Sequence, residues 1–327
     1  MKRIIIFIIA FLFCIGASAQ ERRWAVVELS VIYMRLQPDY ESPLETQELM
    51  GTVVEITGEK SYWREIMSPQ PYKAWTTEKG LVEMSDEQIK EYEAAPKVIF
   101  KEPYGQLHME PSTDSQTICD LVGGDVIRAV LKNNNTVVKG KWAQVMLPSG
   151  TKGWVLKNTI EPLGKRIDIR MGETSDQLID EQKTEAIIAS ALQLLGVPYL
   201  WGGMSSKGVD CSGLVRISAI MNNVLLPRNA SQMLKCGKPI EVSPYSTIEN
   251  NNREAALNRV KNLKRGDLVF FGTPATSEKP MRATHVGIYL GDNRMIHASH
   301  KVRINSLIPG DADYYENAHK LIAATRL

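Results

Sequence analysis

Cys211 sits in Val209-Asp210-Cys211-Ser212-Gly213-Leu214-Val215, which runs from a glycine-containing turn into an apolar-periodic helix ending near Asn222. That spacing places the thiol at a helix N-terminus. The macrodipole and free backbone N–H groups there favour the reactive thiolate, and the same donors can hold an oxyanion. Four of the five histidines lie at or after His285. Thr284 to Leu290 alternates like a strand, Gly291-Asp292-Asn293 turns, and Arg294 to Ala298 returns, so His285 and His297 come together on a hairpin. His300 and His319 lack this relationship and read as surface residues. A thiol, an imidazole and a group that orients the imidazole are what nucleophilic catalysis by cysteine needs.

One cysteine and two histidines also match the ligand count of a catalytic zinc site. No Cys-x-x-Cys or His-Glu-x-x-His accompanies them, and a serine-flanked cysteine at a helix start suits a nucleophile better. The expectation is therefore no metal and no cofactor.

These residues need a scaffold. Thr184 to Leu195 carries apolar residues at 187, 188, 191, 192 and 195 and stops at Gly196, a second helix. Ahead of it lies an internal repeat. Met34-Arg35-Leu36-Gln37-Pro38 recurs as Leu107-His108-Met109-Glu110-Pro111, and Trp63, Met67 and Trp75 recur as Trp142, Met146 and Trp154, with extra residues around Asn133-Asn134-Asn135. Both copies alternate apolar and polar residues in short runs between turns, the pattern of small β-barrels, with the tryptophans as core.

The chain has 327 residues, 43% hydrophobic and 23% charged, which suits two or three globular domains and excludes disorder and coiled coil. Lys2-Arg3, an apolar run from Ile4 to Ile15 and Gly16-Ala17-Ser18-Ala19 read as a signal peptide cleaved after Ala19, too short to span a bilayer. Removing Lys2 and Arg3 leaves as many basic as acidic groups, which argues against a general nucleic-acid binder. The product is expected to be exported, periplasmic or secreted, without stable membrane insertion. Cleavage leaves Cys119, Cys211 and Cys236. An odd count in an oxidising compartment leaves a free thiol, for which Cys211 is the candidate, and pairing of Cys119 with Cys236 stays open.

Tyr199-Leu200-Trp201-Gly202-Gly203, Asp210-Cys211-Ser212-Gly213, Leu226-Pro227-Arg228, Arg265-Gly266-Asp267-Leu268-Val269-Phe270-Phe271, His285-Val286-Gly287-Ile288-Tyr289 and Ile296-His297-Ala298-Ser299 together resemble the NlpC family of bacterial cell-wall cysteine peptidases. The repeat resembles bacterial SH3-like (SH3b) domains, through Tyr72-Lys73-Ala74-Trp75 and Thr151-Lys152-Gly153-Trp154. The resemblance implies an α+β fold: a papain-like catalytic domain with helices on an antiparallel sheet (165–327), preceded by two small SH3-like β-barrels (20–95, including a linker, and 96–164) after the leader (1–19).

It further implies that Cys211 attacks, His285 is the base, His297 orients it and Tyr199 helps the oxyanion. The implied reaction is hydrolysis of the γ-D-glutamyl to diamino acid bond in peptidoglycan stem peptides during wall turnover or recycling. Two SH3-like domains resemble the subgroup acting on peptides with a free N-terminal L-Ala. There Asp210, helped by Ser212, is expected to hold the α-ammonium, with Ser231, Tyr72, Glu48 and Trp201 as further substrate-binding residues. Asp210 equally reads as a helix cap. The alternatives are an inactive peptidoglycan-binding scaffold, and an acyltransferase or amidase on the same fold.

Overall fold

The computed structural model describes residues 22–327 apart from 70, 175–177 and 244–251. The expected leader and part of the loop after Ser243 lie outside the described residues. Among the described residues no helix is long and apolar enough to cross a membrane.

Strands β1 (Arg23–Val27), β2 (Val31–Arg35), β3 (Leu44–Leu49), β4 (Val53–Lys60), β5 (Trp63–Met67), β6 (Lys73–Thr77) and β7 (Leu81–Met84) form a sheet ordered β3-β2-β6-β5-β4-β1-β7. Period-two alternation sends Ala25, Val27, Val54, Ile56, Ile66 and Ala74 into one small core. Val26, on the opposite face of β1, packs against Ile89 and Tyr92 of helix α1 (Asp86–Ala94). Ser85 and Gln88 close a capping box at the start of α1.

The second sheet repeats that strand order: Thr117–Val122, Tyr104–His108, Lys152–Leu156, Trp142–Met146, Val126–Ala129, Lys97–Phe100, Ile160–Pro162. Trp63 and Trp142 open equivalent strands, each 5% exposed, and Trp75 and Trp154 sit at equivalent register positions opposite Glu65 and Gln144. The extra residues of the second copy build a short ladder, Leu131–Lys132 on Asn135–Thr136. Asn133 and Asn134, with φ of 50° and 62°, make its turn, as asparagine tolerates the left-handed region best among non-glycines. Both sheets are open ladders rather than the closed barrels expected. In the first, the outer side of β3 packs against the Met204–Ser205 segment of the third unit.

The third unit is α+β. A six-stranded antiparallel sheet runs Lys238–Ile240, Leu321–Arg326, Leu268–Thr273, Arg282–Gly291, Arg294–Ser299, Lys301–Ser306. Phe270, Val286, Ile288 and Ile296 face helices α2 (Glu181–Gln193) and α3 (Cys211–Ile220), meeting Ile187, Ile188, Leu214, Val215 and Ile217. Alternate residues Phe271, Tyr289 and Met295 point the other way, into a second cluster with Tyr315 and Leu321. Nine of the ten α3 residues are buried, so α3 is a central helix without a solvent face.

Three residues of β3 tie the first unit to the third. Thr46 Oγ1 accepts from Arg228 Nε at 2.8 Å, Gln47 Oε1 accepts from the Met204 N–H at 2.7 Å, and Leu49 joins the core around α3. The first and second units meet as closely. Gly51 has φ +84°, and a Cβ there would lie 2.1 Å from the Val126 carbonyl oxygen. Gly51→Ala is therefore expected to destabilise by about 2 kcal/mol or more, through backbone strain plus the clash. Gly140→Ala, also left-handed but with nothing near its Cβ, serves as the control and carries the strain alone. Equal urea-denaturation midpoints for the two variants would contradict the close approach.

Candidate active site

Asp210 is the N-cap of α3. Its Oδ1 accepts from the Gly213 N–H at 2.7 Å and from Ser212 Oγ at 3.0 Å, while Oδ2 accepts from the Gly202 N–H at 3.1 Å. Arg228 grips both oxygens, through Nη1 at 3.1 Å and Nη2 at 2.6 Å, and also donates to Ser212 Oγ at 3.0 Å. This cap fixes the first turn, and Cys211 is its first residue. The Val286 and Ser212 N–H groups both face the Cys211 sulfur and favour its thiolate, but burial and the Asp210 carboxylate outweigh them and push the thiol up to about 11.

Next to Val286 is His285. The strand pairing sets Ile288 opposite Ile296, so His285 and His297 are diagonal neighbours on one face of the hairpin. His285 Nε2 and His297 Nδ1 are 2.8 Å apart, and His297 Nε2 lies 2.9 Å from Asn305 Oδ1. Asn305 Nδ2 donates to the Asp313 carbonyl at 2.6 Å, which fixes which way the amide points.

The proton positions follow in sequence. Asn305 Oδ1 can only accept, so His297 Nε2 carries the proton and Nδ1 is left with a lone pair. His285 Nε2–H then donates to that lone pair, and His285 Nδ1 remains the free base. Burial holds both rings neutral, His285 pushed down to about 3 with help from His297, and His297 to about 4. Tyr315 packs against the two rings at centroid distances of 5.6 and 4.7 Å.

The other residues singled out in the sequence divide. Tyr199 is half-buried and close enough to Cys211 and Asp210 for both to raise its phenol, after burial, to about 12. Trp201 is 70% exposed beside Gly202, whose missing Cβ lets Leu44 and Glu45 of β3 approach to about 3 Å. Ser212 is committed to Asp210 and Arg228. Tyr72 OH donates to Glu45 Oε2 at 3.3 Å and lines, with Arg228 and Gln232, a recess of about 390 Å³.

Two expected substrate contacts lie elsewhere. Glu48 is 4% exposed, turned to Arg216 at 4.0 Å in the space between the units, because the inner side of β3 is packed there. Ser231 lies on the exposed side of the short helix Ala230–Met233, since Ala230 and Met233 take the buried positions. The carboxylate beside Tyr72 is Glu45, which the sequence reading had passed over together with Asn305. Cys119, Cys211 and Cys236 are all free thiols.

Residues 196–319 match the model of the NlpC/P60 family, and the chain carries an NlpC/P60 domain in its C-terminal part. It is 27% identical over 274 residues to the gamma-D-glutamyl-L-lysine dipeptidyl-peptidase of Bacillus cereus, covering 81% of this chain and 70% of that protein. It is 25% identical over 288 residues to dipeptidyl-peptidase 6 of Lysinibacillus sphaericus, covering 86% and 91%. Among solved structures, an NlpC/P60 family protein from Bacillus cereus superposes with a TM-score of 0.66 at 20% identity, covering 93% of this chain and 99% of that one, which shows a shared fold.

The lowered imidazoles make a stability prediction. A histidine titrates near 6.5 when unfolded, so below that pH the unfolded chain binds protons that folded His285 and His297 do not. Stability is therefore lost as pH falls from about 6.5 towards 4. His285→Gln should lose less over that range than the wild type, read as urea midpoints at each pH. Parallel pH curves would show that the buried imidazoles are not resisting protonation.

Proposed function

We propose that this NlpC/P60 cysteine peptidase hydrolyses the bond between the γ-carboxyl of D-glutamate and the diamino acid in peptidoglycan-derived peptides that begin with a free L-Ala. The names of the relatives support the bond. The observation that carries the substrate end is Glu45 with Tyr72: β3 of the first N-terminal unit supplies a carboxylate and the turn before β6 a phenol hydrogen-bonded to it, which lines the recess shared with Arg228.

In the proposed reaction the Cys211 sulfur attacks the γ-carbonyl carbon while His285 Nδ1 takes the thiol proton. Negative charge gathers on the carbonyl oxygen near the start of α3 and the Tyr199 hydroxyl. The tetrahedral intermediate collapses, the C–N bond breaks, and the imidazolium returns the proton to the leaving amine. Water, deprotonated by His285, then cleaves the thioester and releases L-Ala-γ-D-Glu. Asn305 acts through His297 as a positioning residue, holding the tautomer that leaves Nδ1 of His285 free.

Asp210 is paired with Arg228, so the two together bring no net charge to the groove. Among the described residues Glu45 makes no ion pair, and in this reading it takes the substrate ammonium. An acylated amine, as in glycan-linked stems, would leave Glu45 desolvated and unpaired, which rejects that substrate. The two N-terminal sheets are read as SH3-like domains, the first a gate for the groove. The leader implies export, to periplasm or beyond.

The test is a mass-spectrometric digest of L-Ala-γ-D-Glu-diaminopimelate and its N-acetylated form. Wild type should release L-Ala-D-Glu from the free peptide, and Cys211→Ala should release none. Glu45→Gln should raise KM for the free peptide by about tenfold, the scale of one lost charge-assisted contact. Equal cleavage of both peptides by the wild type would sink the amine gate and leave the peptidase standing. Asn305→Ala should lower kcat by about tenfold or more with KM little changed, as expected when an imidazole loses its tautomer lock. An unchanged kcat would remove Asn305 from the relay.

A further inference from the structure

A cavity of about 400 Å³ lies where the three units meet, lined by Arg216 from the far turns of α3 and by none of Cys211, His285 or His297, and it is independent of the reaction proposed for them. Its walls come from Glu48 and Gly51 of the first unit, Gly124 and Val126 of the second, and Arg166 and Arg216 of the third.

The charged groups in it are poorly matched. Arg216 is 2% exposed, yet its Nε has no hydrogen-bond partner among the described residues. Its nearest carboxylate, Glu48, stands 4.0 Å away, beyond hydrogen-bond reach, and Glu48 itself is held by Ser68, while Asp168 acts on Arg216 more weakly. Arg166 lines the same space. Asp168 is its leading counter-charge and is also engaged by Arg170 at 3.3 Å. Lys97 spends its ammonium on the carbonyls of Tyr92, Glu93 and Ala95 at the end of α1, and Glu93 is exposed at the rim. The two guanidinium groups thus face one buried carboxylate, Glu48, and a more exposed one, Asp168, which Arg170 also engages, in a space large enough for a guest. A buried guanidinium without hydrogen-bond acceptors is costly, and a planar or tetrahedral oxyanion is the partner its fork fits.

We propose that this junction cavity binds a small oxyanion, phosphate or carboxylate, between Arg216 and Arg166. The bound anion supplies the missing acceptors and draws the third unit onto the β3–β4 corner. Because Thr46 and Gln47 lie just ahead of Glu48 on β3, occupancy also steadies the wall of the groove that carries Glu45.

The experiment is isothermal titration of the protein with inorganic phosphate and, separately, with succinate, both in a constant chloride background. One site per chain with a Kd below about 1 mM is expected, a modest affinity for a small charged ligand. Arg166→Gln should weaken it at least tenfold, and Arg216→Met should abolish it. If Arg216→Met does not fold, Arg166→Gln decides alone, since its residue is exposed at the mouth. Binding of phosphate but not succinate identifies a tetrahedral ligand, and the reverse a carboxylate. No heat beyond the chloride background for either anion, or unchanged affinity in Arg166→Gln, overturns the site.

Discussion

The carboxylate of Asp210 is the constraint on which the rest depends. It ends a buried loop, starts a buried helix and neutralises a buried arginine with the same two oxygens. A buried carboxylate is tolerable only when its lone pairs are filled, and here backbone, hydroxyl and guanidinium fill them. The position of the Cys211 thiol follows from the cap. Through Arg228 the constraint extends to Thr46, so nucleophile and first-unit wall are referred to one anchor. Loss of Asp210 is therefore a change to the architecture before it is a change to the chemistry.

The second ordering device is the chain from Asp313 through Asn305 and His297 to His285. It contains no carboxylate. A carboxylate in the place of Asn305 would favour charged imidazoles and raise both histidines, whereas a neutral amide sets direction without adding charge. Burial moves the Cys211 thiol up and both imidazoles down, so each is shifted towards its uncharged form.

How much of this the sequence disclosed depends on distance along the chain. Cys211 at a helix start and His285 facing His297 are local facts, written in a cap and a hairpin turn. Asn305 lies one strand further on, past a reversal made by His300 at φ 62°, a residue that does not advertise a left-handed turn. Glu45 was hidden by a register shift: Thr46 pairs with Met34 but Leu44 with Arg35, so Glu45 is the extra residue of a bulge and is turned towards the groove. Simple alternation along β3 misses this, and Glu48, the β3 carboxylate named from the sequence, faces the junction. The repeat was legible from its tryptophans, and the identical strand order bears that out. The open edge was not, because it depends on a partner segment far along the chain.

That edge governs when the groove can exist. The bond from Met204 to Gln47 joins residues 157 apart, and the one from Arg228 to Thr46 residues 182 apart. Contacts so distant cannot form while the first unit folds on its own and must wait until most of the chain is made. Both bonds nevertheless end at Met204 and Arg228, which precede His285 and His297 in the chain. On a growing chain the parts of the wall are therefore made before the two imidazoles, and the wall can dock while the hairpin that carries them is still to come.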